Sequence, residues 1–356
     1  MAQQSSSLAL RYGVIAVAVG GLALLFYGIA NGFGQRGVTA QQFVDFQEGG
    51  NPHLGFRRAH AKGFCLAGEF VANGDLTAYS SATLFQPGAT PFVGRISVGG
   101  GNPTAPDLAA GVRSLALSIG DKPSVRWQTA MNTPPVMPVR NAHDFYAQMN
   151  AFRPDPETGR PNPERIAAFL EAHPETQAAR EWQASYTATE SYATETYNSI
   201  NAFYLVKDGQ RQAVRWAAVP HAESHGRGFE GNRDDANALQ NEFMARLDSA
   251  PVVYDLVFTL ATAADNENDP TVRWPADRQQ VVAGQIVIHS ASDQSEGLCN
   301  GINFDPLVLP RGMAPTQDEI LSARSSVYAE SYRRRAREHF YQQAPSQPSS
   351  NEQEKE

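Results

Sequence analysis

The stretch RRAHAKGFCLAGEF, residues 57–70, places two arginines, a histidine and a lysine directly before an apolar run that is typical of a β-strand. Only 19% of the 356 residues are charged, so this concentration of positive side chains stands out. Three further β-rich runs, PFVGRISV, RSLALSIG and SVRWQTA, follow before residue 140, and Gly, Pro and Asn turns separate them. This spacing predicts an antiparallel sheet that starts at the end of the quoted stretch.

The middle of the chain changes character twice. Residues 141–190 are polar and helical in pattern, as in PERIAAFLEA, and five prolines interrupt them. Strand-like runs then return in INAFYLVKDGQRQAVRWAAVP, VVYDLVFTLATA and QQVVAGQIVIHS, and the Asp208-Gly209 pair predicts a hairpin. Strands that resume after a helical segment and are followed by a closing helix predict an α+β fold, a closed antiparallel β-barrel carrying helices.

The closing helix is the run ILSARSSVYAESYRRRAREHFY, and Thr316-Gln317-Asp318-Glu319, which follows Pro315, reads as its capping box with Thr316 as the cap. Arg324, Tyr328 and Arg335 are spaced by four and seven residues, which places two guanidiniums and a phenol on one face. A phenol between cations is a candidate phenolate, and tyrosinate is a known axial ligand of haem iron. On spacing alone, an amphipathic surface helix with its basic face in water is the more frequent case.

The N-terminal region, residues 1–36, contains an apolar run, YGVIAVAVGGLALLFYGIA, at residues 12–30. These nineteen uncharged residues are enough to cross a bilayer as a helix. Because Arg11 precedes them, we expect an inner-membrane anchor with the rest of the chain facing the periplasm. A long cleaved signal peptide with a poor cleavage site at residues 28–30 is the alternative, and it would leave the protein periplasmic.

The C-terminal residues 342–356, QQAPSQPSSNEQEKE, are too polar to order themselves and are predicted to be a disordered tail. Residues 37–341 then form the folded part.

A formal net charge of −8 argues against a nucleic-acid partner. Cys65 and Cys299 are the two cysteines; no CxxC pair indicates a zinc site, and they could form a disulfide or be two separate buried thiols.

Several polar residues near the predicted strands suit peroxide chemistry at iron. Arg57 lies three residues before His60, Arg95 and Ser97 follow in GRISVGGGN, and Asn132 begins NTPPVMPVRN. A neutral imidazole can move a proton from one peroxide oxygen to the other as the O–O bond breaks. A carboxamide can hold the peroxide, a hydroxyl can orient the imidazole, and guanidiniums pair with the carboxylates of haem.

Four elements occur in a diagnostic order: RRAHAKG, then RIS, then NTPP with VRNAHDF, and finally INFDPLVLPRGMAPTQDEILSARSSVYAESYRRR. In this order they resemble the catalase family, and within it the small exported catalase-related peroxidases. The resemblance extends from residue 43 to residue 335. It implies an eight-stranded antiparallel barrel with associated helices, and haem b (iron protoporphyrin IX) buried between them.

The resemblance also implies roles for individual residues. His60 is expected to be the distal acid/base, Ser97 its hydrogen-bond partner and Asn132 the amide that positions the peroxide. Tyr328 is expected to be the axial ligand of the haem iron, activated by Arg324. Further haem contacts are implied for Arg57, Arg95 and Arg335 at the propionates and for Phe145 against the ring.

Departures from the family pattern bear on the activity and on the oligomeric state. True catalases have a Phe-Phe pair after the asparagine motif, where this chain has Met137-Pro138. They also have a long N-terminal arm and additional C-terminal helices, so we expect a monomer or small homo-oligomer here, with wider access to the haem. The predicted function is a haem peroxidase that reduces hydrogen peroxide or organic hydroperoxides with small organic electron donors through a ferryl intermediate. A true catalase and a non-enzymatic haem carrier or sensor are the alternatives, and His60 together with Asn132 argues against the carrier.

Overall fold

A computed structural model of the protein describes residues 37–50 and 52–343. Its centre is a closed ring of eight antiparallel strands, with β1 paired to both β2 and β9 and with β7 paired to β8. Around the ring the strands are β1 (Gly63–Ala72), β2 (Gly88–Val98), β3 (Arg113–Ile119), β4 (Trp127–Asn132), β5 (Tyr197–Asn198), β7 (Gln210–Pro220), β8 (Val252–Leu260) and β9 (Gln280–Asp293). The predicted eight-stranded antiparallel barrel is confirmed.

The barrel is filled by alternate side chains of its strands. In β8 every second residue is buried, because successive side chains of a strand point to opposite faces. Aromatic rings dominate the interior: the centroids of Trp127 and Trp216 lie 5.1 Å apart, and Phe258 and Phe85 pack against this pair. The barrel is therefore a packed core, and a ligand must bind at its outside.

Two strands lie outside the ring. Strand β6 (Phe203–Lys207) pairs with β7, and β10 (Met313–Pro315) pairs with β6. Between β6 and β7, Asp208 and Gly209 both have positive φ, of 49° and 79°. Positive φ at both central residues defines the tight hairpin turn that the Asp-Gly pair predicts.

The helices surround the barrel: α1 (Ala40–Glu48), α2 (Ala142–Phe152), α3 (Pro163–Ala172), α4 (Gln177–Ser185), α5 (Ala238–Leu247) and α6 (Glu319–Gln343). Helix α6 is the predicted closing helix, but its cap differs from the prediction. Asp318 Oδ1 accepts hydrogen bonds from the backbone N–H groups of Ile320 and Leu321, at 2.8 and 3.3 Å. The hydroxyl of Thr316 instead donates to the carbonyl of Ala202, so Asp318 is the N-cap.

The segment that leads into β1 is fastened to two helices by a buried arginine. The guanidinium of Arg58 donates to the carboxylates of Glu48 on α1 and Glu338 on α6. A buried ion pair is strongly destabilising to break, by about 3–5 kcal/mol, because one charge is left without a partner. This contact fixes the chain on either side of Arg58 against α6, and His60 lies two residues further on.

Cys65 on β1 forms a disulfide with Cys299, which decides between the two alternatives that the sequence left open. The expected membrane segment, residues 12–30, lies outside the described residues, as does nearly all of the expected tail. Helix α6 continues to Gln343, past the predicted start of that tail. Among the residues that the structure describes, no helix has the length and apolar character needed to cross a bilayer.

Candidate active site

A cavity lies where the barrel strands meet helix α6. Seven of the nine predicted site residues line it: Arg57, His60, Arg95, Ser97, Asn132, Tyr328 and Arg335. The structure therefore brings together residues that are up to 278 positions apart in the sequence.

Phe145 is not among the lining residues of this cavity. It lies on α2, where its ring stacks on Phe43 of α1 with the centroids 6.0 Å apart. Met137 and Pro138, which stand where true catalases have two aromatic residues, do not line the cavity either. The structure thus places Phe145 in the packing between α1 and α2, and its contact with the haem ring stays a prediction.

His60 has a strained backbone, with φ of 54°, in the left-handed region that non-glycine residues rarely adopt. Arg95 holds it there, since Arg95 Nη2 donates to the carbonyl oxygens of His60 at 2.9 Å and Ala61 at 3.2 Å. A Cβ at Gly63 would lie 2.7 Å from the same Nη2, so this close approach requires glycine. Arg95 thereby positions the imidazole as well as facing the cavity.

The hydrogen-bond partner of His60 is Ser114 and not the predicted Ser97. Ser114 Oγ lies 3.2 Å from His60 Nδ1 and also donates to Asn132 Oδ1. The register explains why: Ser97, Ser114 and Asn132 are directly opposite one another on β2, β3 and β4. Ser114 is the middle residue of this cross-strand row. Its hydroxyl therefore lies within hydrogen-bonding distance of both His60 Nδ1 and Asn132 Oδ1.

The Ser114 contacts fix the protonation of the imidazole and the orientation of the amide. A hydroxyl has one proton, which Ser114 donates to Asn132, so Ser114 Oγ must accept from His60 Nδ1–H. The Nε2 atom of His60 then carries the lone pair that can take a proton. Because the amide oxygen of Asn132 is engaged, its NH₂ group is the part left to bind a ligand in the cavity.

His60 is neutral at physiological pH. Burial, followed by the positive charges of Arg95, Arg324 and Arg57, lowers its pKa to about 4. Each of these effects disfavours the imidazolium. A neutral imidazole beside a free amide can accept a proton from a bound hydroperoxide.

Helix α6 supplies Tyr328, whose hydroxyl accepts a 3.4 Å hydrogen bond from Arg324 Nη2. Arg324 is itself fixed, because Nη2 also donates to the carbonyl of Ala130 at 2.9 Å and Nη1 to the amide oxygen of Asn201. The amide of Asn201 donates in turn to Asp318, the N-cap of α6. Tyr328 is thus an oxygen donor held beside a fixed positive charge, which suits a ligand of ferric iron.

Three guanidiniums form the polar end of the cavity, and we call Arg57, Arg95 and Arg335 the arginine cluster. Among the described residues none has a carboxylate within ion-pairing distance, whereas the adjacent Arg58 is paired with two. Burial lowers the pKa of all three, that of Arg95 to about 9, and the proximity of like charges lowers it further. Arg57 Nη1 is buried without a hydrogen-bond partner. A ligand with two carboxylates would offset two of the three positive charges and supply an acceptor for this atom.

These features fit haem. Its propionates match the unpaired arginine cluster, and its iron matches the oxygen of Tyr328. Comparison with known proteins gives the same result, because the model of the catalase family matches residues 51–355. The chain belongs to the catalase family.

Two curated members of the catalase family are similar along nearly their whole length. One, from Synechococcus elongatus, is named catalase-related peroxidase and is 41% identical over 315 residues, covering 87% of this chain and 93% of the relative. The other has the same name, comes from Mycolicibacterium paratuberculosis, and is 31% identical over 307 residues, covering 84% and 95%. The resemblance predicted from the motifs is confirmed.

Solved structures of the catalase family share the fold. A bacterial catalase superposes with a TM-score of 0.67 at 20% identity, covering 80% of this chain and 58% of that chain. Catalase A from Saccharomyces cerevisiae superposes with a TM-score of 0.68 at 17% identity, covering 80% and 62%. The chain therefore spans about three fifths of these larger catalases, and the likeness to them concerns the fold alone.

Sequence reasoning missed three residues of this site: Ser114, Gln294, whose Oε1 accepts from Arg95 Nε at 2.8 Å, and Asn300, whose Oδ1 accepts from Arg335 Nη1 at 3.2 Å. For Ser114 a signal was present, because a small polar residue occurs near the start of RSLALSIG as it does near the end of the preceding strand. Gln294 lies in a turn and Asn300 in a single turn of 3-10 helix, where no periodic pattern marks them.

Proposed function

We propose that this catalase-family chain is a haem b peroxidase that reduces hydrogen peroxide or organic hydroperoxides with electrons from small organic donors. The observation that carries the proposal is the joining, in one cavity, of a neutral imidazole and a free amide with a tyrosine oxygen and an unpaired arginine cluster. The relatives named catalase-related peroxidase support it.

In this proposal Tyr328 would bind the haem iron, and the arginine cluster would bind the propionates. The haem would supply the redox chemistry between peroxide and donor. Arg324 keeps a positive charge next to the tyrosine oxygen that would bind the iron. The two propionates would supply negative charge that the arginine cluster lacks within the described part of the chain.

His60 and Asn132 act on the peroxide. The amide N–H of Asn132 holds a peroxide oxygen, and His60 Nε2 takes the proton from the hydroperoxide group and delivers it to the departing oxygen as the O–O bond breaks. Over a full cycle a hydroperoxide ROOH and two one-electron donors AH give ROH, water and two oxidised donors A. The two protons released by the donors complete the water molecule.

The cavity reaches the protein surface. Tyr332 lines it and is 38% exposed, so this side of the cavity adjoins the solvent. Access for organic donors favours peroxidase turnover, because dismutation requires a second hydrogen peroxide to react before any donor does. We therefore expect donor oxidation to exceed oxygen release.

Two measurements on one haem-loaded preparation test the proposal. We expect rapid oxidation of a phenolic donor by an organic hydroperoxide, and weak oxygen evolution from hydrogen peroxide without donor. Fast oxygen release with no detectable donor oxidation would identify a true catalase instead. Haem binding without reaction towards either peroxide would identify a carrier or sensor.

We also propose that the protein acts outside the cytoplasm, anchored to the inner membrane and facing the periplasm, or free in the periplasm if residues 1–36 are cleaved. The Cys65–Cys299 disulfide supports this, since such bonds persist mainly in oxidising compartments. A reporter fused after Glu356 should be active only on the exported side. Light scattering of the purified protein would test the expected monomer or small homo-oligomer.

A further inference from the structure

Residues 298–304, LCNGINF, form a short segment beside the cavity, which we call the clamp segment. Two of the three guanidiniums of the arginine cluster rest on it. Arg57 Nη2 donates to the carbonyl oxygens of Cys299 and Ile302, both at 2.9 Å. Arg335 Nη1 donates to Asn300 Oδ1 at 3.2 Å. The positions of these two charges therefore depend on the position of the clamp segment.

The clamp segment also forms part of the cavity wall. Phe304 lines the cavity, and the guanidinium of Arg57 lies over its ring, 5.9 Å from the centroid. Phe304 also packs with the buried sulfur atoms of Cys65 and Cys299 in a small apolar cluster. The disulfide and the wall of the cavity are thus parts of one packed unit.

Regular secondary structure does little to fix the clamp segment. It contains one turn of 3-10 helix, Leu298–Gly301, and the Leu298 side chain is 79% exposed. Its covalent tie to the barrel is the bond from Cys299 to Cys65 on β1. The preceding residue, Gly297, allows the close approach, because a Cβ there would lie 2.4 Å from the Cys65 sulfur. Short surface segments of this kind open at low free-energy cost unless they are tied down.

We propose that the Cys65–Cys299 disulfide is a positioning element of the cofactor site, which presets Arg57 and Arg335 for the two carboxylates of haem, and that its reduction releases haem. This rests on the proposed function, since it takes the arginine cluster to be the propionate site. Reduction by a dithiol transfers two electrons and two protons to the disulfide, giving two thiols and the cyclic disulfide of the reagent. Thus a thiol reductant would control how tightly the cofactor is held.

The physical reason is preorganisation. Three buried guanidiniums without acidic partners repel one another, and each is more favourably placed in water than in the cavity. Hydrogen bonds to the clamp segment hold two of them inward before the ligand arrives. When the disulfide is reduced, Arg57 and Arg335 can turn outward towards the solvent. The free energy of haem binding is then smaller by the free energy needed to return the two side chains to the cavity. Reduction should therefore weaken the contacts of the charged propionates and leave the contacts of the apolar haem ring unchanged.

The test compares haem with haem dimethyl ester, which has the same ring but no carboxylate charges. The full-length chain is loaded with either one, and its loss to an excess of apomyoglobin is followed by absorbance. We expect a Cys65→Ser/Cys299→Ser variant to lose haem about 10- to 100-fold faster than the wild type, the size expected for weakening one or two charge-assisted contacts. The ester should leave both proteins at the same rate within about threefold.

Two controls separate this role from general destabilisation. Dithiol treatment of the wild type should reproduce the faster haem loss, and the same treatment should leave the double serine variant unchanged. Asn300→Ala keeps the disulfide but removes the hydrogen bond from Arg335 to Asn300. It should accelerate haem loss less than the double serine variant does, and it should leave the rate of ester loss unchanged. This second variant keeps the test available if the serine variant does not fold.

Equal rates of haem loss with and without the disulfide would overturn the proposal. Equal acceleration for haem and the ester would also overturn it, because the disulfide would then only stabilise the fold. A wild-type chain that holds no haem at all would refute the proposed function instead.

Discussion

Replacing Ser114 by alanine tests the geometry of the distal side, and Ser97→Ala is its matched control. Both serines line the cavity, both are buried, and they lie directly opposite each other on β2 and β3. Only Ser114 contacts His60 and Asn132. The two variants therefore remove the same group at neighbouring positions with different expected results.

The magnitude follows from the two contacts. Without Ser114, the proton of the imidazole loses its preference for Nδ1, and the amide of Asn132 loses its preference for turning NH₂ towards the cavity. A hydrogen bond between neutral groups contributes about 0.5–1.5 kcal/mol, so the two together correspond to about 2 kcal/mol. At about 1.36 kcal/mol for each tenfold change in rate, Ser114→Ala should slow the reaction with peroxide by about 30-fold. Ser97→Ala should change it by less than about twofold.

Stopped-flow absorbance of the haem-loaded proteins measures this rate as the first spectral change after mixing with peroxide. Haem occupancy and the resting spectrum should match the wild type in both variants, because neither serine touches Tyr328 or the arginine cluster. If Ser97→Ala slowed the reaction tenfold while Ser114→Ala matched the wild type, the hydrogen-bond assignment would be wrong and the prediction from the family motif right.

Three further outcomes are expected. Tyr328→Phe should lose haem or bind it through another ligand, and an unchanged ferric spectrum at full occupancy would remove the assignment. In the folded, haem-free chain the pKa of His60 is about 4, below the 6.5 of an unperturbed imidazole. Between pH 6.5 and pH 4 the unfolded chain therefore binds one more proton than the folded chain. The free energy of unfolding should therefore fall by about 3 kcal/mol more in the wild type than in His60→Gln between about pH 7 and pH 4, as measured by urea denaturation. Asp318→Ala should destabilise the fold by about 1–3 kcal/mol, because two helix N–H groups and the amide of Asn201 lose their acceptor; a wild-type urea midpoint would contradict this.

The barrel could be predicted from the sequence because its strands alternate buried and exposed residues and its turns contain Gly, Pro and Asn. The closing helix could be predicted from its pattern, although its cap could not be located to the residue. Asp318 and Thr316 both have the chemistry of a cap, and the pairing of Thr316 with Ala202, which comes from a distant part of the chain, decides between them.

The contacts that complete the site depend on which strand residues face each other, and a single sequence does not show this. Ser97 and Ser114 are chemically equal candidates until the register places Ser114 between Ser97 and Asn132. The disulfide joins cysteines 234 residues apart, so no local pattern could establish it. The motif gives the position of Phe145 along the chain, while the packing of α2 on α1 decides where its ring lies.

The ion pairs of Arg58 have a consequence for the order of events during biogenesis. Arg58 and Glu338 are 280 residues apart, and they join the segment before β1 to the last helix of the described chain. Tyr328 lies on that same helix, so the cofactor site does not exist until the C-terminal part of the chain has been synthesised and has docked. A ribosome-bound or partly translocated chain therefore cannot capture its cofactor, and if the protein is exported unfolded, haem must be supplied on the far side of the membrane.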